Sequence, residues 1–153
     1  MSANNTLDNA AKPGLLRVIA AMFYDLWLVL AIWLLGATAD TFIRDGLGLP
    51  SGEGGNYLLL QLFALLSPLL FFGWFWTHGG QTLGMRSWRI RVVDLNGEPI
   101  GWGLAVRRYL AALLSWAMAG AGFLWMLFDT DGCSLHDRLS GTRLVMVEKR
   151  KKD

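Results

Sequence analysis

Cysteine occurs once in the chain, at Cys133, so an internal disulfide and a metal site made only of cysteines are both excluded. A lone thiol of this kind reads as structural filler. Charge is scarce as well: Asp, Glu, Lys and Arg make up 17% of the 153 residues, against 54% hydrophobic ones. A soluble domain of this size has too little interior for so much apolar surface, which leaves lipid as the solvent. Neither sign of charge dominates, the formal net charge being +2. The cations sit at the edges of apolar blocks and line no single face, which excludes a nucleic-acid partner and speaks of membrane topology.

What the chain has in abundance comes in blocks. Leu15 to Ala37, Tyr57 to Trp76 and Tyr109 to Phe128 are nearly free of charge, and each reaches the roughly 20 residues that a spanning helix needs. The first block is too long for a secretory signal core and has no small-residue cleavage site after it, so it is expected to be retained. Pro68, inside the second, predicts a kink whose freed carbonyl a neighbouring helix satisfies. Residues 1–13 are polar and Asn-rich and predict a disordered start; residues 14–147 form one membrane domain, and 148–153 a basic tail. The glycine-rich stretch from Asp40 to Asn56 predicts a loop. Trp88, Ile90 and Val92 alternate with Arg89, Arg91 and Val93 ahead of Asn96-Gly97 and Glu98 to Trp102, which predicts a β-hairpin. Arg143 to Glu148 is a further short strand, and these segments could pair into one small sheet outside the bilayer if they lie on the same side. The fold class expected is an all-α membrane protein with two transmembrane helices and a third apolar segment, either a re-entrant hairpin or a third span. A small β-hairpin or sheet would lie at the cytoplasmic face.

Basic residues flank the blocks at Lys12 and Arg17, at Arg86, Arg89, Arg91, Arg107 and Arg108, and in the tail. The positive-inside bias assigns all three groups, and with them the N-terminus, to the cytoplasm, and the Asp40 to Glu53 loop to the outside. Three full crossings would carry the tail outside. A turn back at Gly120-Ala121-Gly122, with arms of about ten residues that cannot each cross ~30 Å, keeps it inside; a plain third span with an outward basic tail is the rival.

Asp25 interrupts the first apolar block about halfway along, where a carboxylate costs a few kcal/mol unless it faces protein or water. It is either an ion or proton site or a polar fastening between helices. Arg107 and Arg108, at the entrance to the third block, are the candidates for reaching it across helices, where Arg can hold a carboxylate bidentately; the alternative is that both anchor to lipid phosphates. Arg17 is about 12 Å from Asp25 along the axis and is expected to snorkel to the headgroups. The run His78 to Arg86 has three glycines, a Thr and an Arg but not the spacing of a phosphate loop, and reads as a tight interfacial turn. Asp129-Thr130-Asp131-Gly132 lacks the closing Glu of a calcium loop, so no metal is expected. His136-Asp137-Arg138 reads as capping and turn formation before Gly141, and no nucleophile-base pair is visible, so neither an enzyme nor a cofactor is expected.

Taken in order, Arg17, Asp25, Gly80 to Arg86, Arg89 to Val93 with its Asn-Gly turn, the Arg107-Arg108 pair and Leu135-His136-Asp137-Arg138-Leu139-Ser140-Gly141-Thr142 resemble the RDD family of small bacterial membrane proteins, named for an Arg and two Asp. The resemblance covers about Leu15 to Val147. It implies that Arg17 is the naming Arg, that Asp25 and Asp137 are the two Asp, and that His136, Gly80, Thr82 and Gly84 are motif residues. Many members carry a Lys where Met85-Arg86 stands, a departure that keeps a positive charge nearby. The family implies a multi-pass protein of the bacterial cytoplasmic membrane, with transport suggested for some members. Two functions are therefore expected: translocation of a cation, proton or small solute by a homo-oligomer using Asp25 with Arg107 or Arg108, or a non-catalytic scaffold or accessory subunit that docks a membrane or cytoplasmic partner.

Overall fold

The computed structural model describes residues 11–50, 57–118 and 120–147. The predicted disordered start up to residue 10, residues 51–56 of the predicted loop and the basic tail lie outside them. The first apolar block forms helix α1, Leu15–Leu47, and the second α2, Leu58–Thr77. Both are long and apolar enough to cross a membrane. Helix α1 runs ten residues beyond the expected end at Ala37. Arg44 pairs with Asp40 one turn earlier at 2.7 Å and stacks on Tyr57, and Gly48 in the left-handed conformation ends the helix. An i,i+4 ion pair followed by a C-terminal glycine outweighs the turn tendency of the glycines.

The two long helices approach closely at Gly36, where any side chain would run into the Phe63 ring. The Trp33 indole N–H donates to Ser67 Oγ at 3.1 Å. Residues 33–36 are thus level with 63–67 in an antiparallel pair. Equal rise along both helices then puts Asp25 level with about residue 75 of α2, roughly half a turn from its end at Thr77. The expected mid-membrane carboxylate is at the edge of the span. Pro68 leaves the Ala64 carbonyl without its in-helix donor, but the neighbouring hydroxyl, that of Tyr109, donates one residue further on, to the Leu65 carbonyl at 3.3 Å.

After α2 the chain forms a short helix α3, Leu83–Ser87, and strand β1, Ile90–Asp94. The expected hairpin across Asn96-Gly97 does not form. The turn is there, with Asp94 Oδ1 accepting from the Asn96 and Glu98 amides, but its second arm passes directly into helix α4, Trp102–Ala117. Strand β1 pairs instead with β2, Thr142–Met146, antiparallel, Ile90 opposite Met146 and Asp94 opposite Thr142. The Met146 amide donates outward to the Ala11 carbonyl at 3.0 Å, so the flank before α1 lies along the same small sheet.

The third apolar segment therefore starts and finishes at one sheet. Helix α4 enters alongside α2, with Trp102 against Gly73 and Tyr109 at Leu65. After a bend of 107° it is followed by an arm made of α5, Ala121–Leu124, and a 3-10 turn, Trp125–Leu127. The arms are unequal, sixteen residues and seven, where two of about ten were expected. Helix α6, Leu135–Ser140, then packs on α4 and leads into β2. The core, Val18, Ala21, Trp76, Met85, Ile90, Val92, Ile100, Ala105, Tyr109 and Met126, lies where α1, α3, the sheet and α4 meet, at one end of the long helices.

Candidate functional site

Two buried carboxylates organise that junction. The first is Asp25, 3% exposed, on the α1 stripe Val18, Ala21, Asp25 and Val29 that faces α3. Its Oδ2 accepts the Thr82 hydroxyl at 2.5 Å and its Oδ1 the Gly84 backbone N–H at 2.9 Å. Thr82 is also the N-cap of α3, accepting from the Met85 amide at 3.1 Å. A side chain at Gly84 would strike the Ala21 carbonyl and the Asp25 carboxylate, so glycine is what lets the backbone reach the acid. Gly80 works similarly: at φ 73° its carbonyl accepts from the Val92 amide at 2.7 Å, tying the turn to β1. The Gly80 to Arg86 turn does hold an anion, and the anion is the chain's own carboxylate.

Arg107 and Arg108, the candidate partners of Asp25, do not reach it. Arg107 is exposed and donates to the Leu139 carbonyl at 3.4 Å. Arg108 is buried, forms an ion pair with Asp137 of α6, donates to Thr142 Oγ1 at 2.5 Å and lies over the Trp76 ring. Asp137 is the second buried carboxylate, fully enclosed. Its other oxygen accepts from the Ser134 hydroxyl and amide, and the Asp137 amide donates back to Ser134, a reciprocal cap on α6. Burial pushes the Asp137 pKa up, but Arg108, His136 and the Ser134 hydrogen bonds outweigh it and hold the carboxyl below its usual range.

His136 stands between two serines, Nε2 at 2.9 Å from Ser134 Oγ and Nδ1 at 3.5 Å from Ser115 Oγ, with Phe123 edge-on to its ring. Burial, then the Arg108 charge, lowers its pKa to about 4, so the imidazole is neutral at pH 7. Asp137 binds Ser134 and not the ring, so the Ser-His-Asp trio is arranged as a helix cap and lacks the relay order that activates a serine.

Arg17 is at neither carboxylate; it is exposed, its Nη1 3.0 Å from Met146 Sδ. Asp129 and Asp131 are engaged by Arg138, at 2.7 and 2.9 Å. His78 stacks on Trp74 at 3.9 Å, away from His136. The Asp25 partners could have been found in the sequence: a Thr two residues before a Gly at a helix start is an anion-binding arrangement. The Arg108–Asp137 pair spans 29 residues and carries no local signal.

A stretch of 79 residues is 30% identical to the proline-rich antigen homolog of Mycobacterium tuberculosis, in strain CDC 1551 / Oshkosh and equally in strain ATCC 25618 / H37Rv, covering 47% of this chain and 33% of that protein. The match thus spans about a third of the length of these relatives. No solved structure matches. The RDD family model matches residues 12–141, a range that takes in both buried carboxylates, the turn that binds the first and the arginine that binds the second: the chain belongs to the RDD family.

Proposed function

We propose that the chain is a non-catalytic membrane scaffold, an accessory subunit in which α1 and α2 anchor a rigid head of sheet, α3, α4 and α6 that docks a partner protein. The observation that carries this reading is the closure of Asp25 by Thr82 and Gly84 at the edge of the span. A carboxylate that binds a transported ion or proton must exchange partners, whereas Asp25 is gripped by a backbone amide and a capping hydroxyl that also hold α3 in place. The pairing of β1 with β2 supports a re-entrant third segment, because strands in one sheet share one side of the bilayer. The basic flanks support a cytoplasmic head in a two-span protein of the bacterial inner membrane. The wide apolar faces of α1 and α2 suit lipid or further copies of the chain.

The test is Asp25→Asn, which keeps shape and removes the charge, its amide oxygen able to accept from Gly84 and its NH2 to donate to the Thr82 oxygen, reconstituted in liposomes beside the parent. The scaffold reading expects no pH-gradient-driven or cation flux from either protein and an intact fold in both. Flux in the parent that disappears in a correctly assembled variant would replace it with translocation by an oligomer.

A further inference from the structure

An open cavity of about 420 Å3 lies between α1 and α3, lined by Phe23, Tyr24, Trp27, Leu28, Leu83 and Ser87 over the Gly84 backbone. Its depth follows from the helix pair: residues 23–28 of α1 are level with about residues 72–77 of α2, the last turns of the span, where the glycerol and first acyl carbons of a lipid lie. Three aromatic rings at that depth match the interfacial belt of membrane proteins.

The mouth of this groove toward the sheet is cationic. Arg17 is seven residues before Tyr24, on the same face of α1 and about 10 Å nearer the sheet. Arg86 is on α3 between the lining residues Leu83 and Ser87, and Arg89 follows α3. All three are exposed, and none pairs with an acid among the described residues. The nearby acid, Asp25, is turned inward to Thr82 and Gly84.

From this juxtaposition we infer that the groove is a binding site for an anionic phospholipid, with an acyl chain along Phe23, Trp27 and Leu83 and the phosphate between Arg17 and Arg86. A zwitterionic lipid makes the same apolar contacts but brings an ammonium group to a cationic mouth, so charge selects between the two. A second copy of the chain would bring the same arginines face to face, which opposes pairing through this groove. The inference is independent of the scaffold reading.

Native mass spectrometry of the full chain, purified in micelles with equal phosphatidylglycerol and phosphatidylcholine, tests it. The parent should retain phosphatidylglycerol preferentially, and Arg17→Gln and Arg86→Gln should each lower that preference roughly five-fold. Arg143→Gln, whose arginine binds the Leu95 carbonyl, should leave it unchanged. Ser87→Phe, which fills the groove, should lower retention of both lipids. Equal retention by the parent, or a preference that survives in the Arg17→Gln/Arg86→Gln protein, overturns the proposal. So does a lipid-free dimer that Ser87→Phe dissociates. The charge-keeping Arg17→Lys/Arg86→Lys protein should hold the preference; if it loses it as the glutamine protein does, the arginines act through folding and the site is refuted.

Discussion

Asp25 and Thr82 each answer a need of the other. The acid requires donors because it is buried beside lipid, and Thr82 supplies one while its oxygen caps α3. Thr82→Val keeps the volume and removes both roles, leaving a buried carboxylate short of a donor. We expect a loss of about 1–3 kcal/mol, read as a lower thermal midpoint in detergent, while Thr82→Ser stays close to the parent. His136 sets a pH response of the opposite kind to a salt-bridged histidine. Its folded pKa of about 4 is below the ordinary 6.5, so between those values the unfolded chain binds a proton that the fold refuses. Stability should be complete above pH 6.5 and fall by about 3 kcal/mol as pH drops toward 4. Denaturant melts across that range should lose most of this slope in His136→Asn; an unchanged slope would mean that the imidazole is not the titrating group.

Among elements, the contact of α3 with α1 depends on one missing side chain. Gly84→Ala meets the Ala21 backbone carbonyl, which cannot swing aside, so α3 must lift and surrender its hydrogen bond to Asp25. A cost of about 1–3 kcal/mol is expected, and an alanine protein as stable as the parent would show that α3 is not seated as described. The long helices were legible because twenty apolar residues in a row have few other uses, and the strand at residues 142–146 because Leu144 to Val147 is a short apolar run between Arg143 and Glu148 that follows Gly141. The pairing of β1 with that strand, open to both if they lie on one side, was legible only in part, because a local hairpin competed for β1. Asn96-Gly97 favours a hairpin locally, but its far arm carries Pro99 and the Gly101 start of α4, and a proline supplies no ladder donor. The non-local strand, with five pairable residues, prevails. In the same way, a buried charge invites an opposite charge in the sequence, whereas two neutral donors at a helix start satisfy Asp25.

The whole molecule is a pair of long helices with its polar organisation gathered at one end. Arg108, Asp137, Ser134, His136, Ser140 and Thr142 are all buried there, and the opposite end carries the Asp40–Arg44 pair. The strand pairing makes a topological prediction that needs no functional assay. In a Cys133→Ser background, Asn96→Cys and Arg143→Cys should react with a membrane-impermeant maleimide from the same side of sealed vesicles, and Gly46→Cys only from the other. Labelling of positions 96 and 143 from opposite sides would dissolve the sheet and restore a third crossing.

The separation of Asp25 from its donors in the chain also sets an order of events during synthesis. When α1 leaves the ribosome and enters the bilayer, Thr82 and Gly84 have not yet emerged, since they follow the whole of α2. For that interval the carboxylate has no protein donor from the turn. Its level near the end of α2 keeps water within reach while it waits. The head assembles last, since Asp137 and β2 follow every apolar segment along the chain, and Arg108 waits for both.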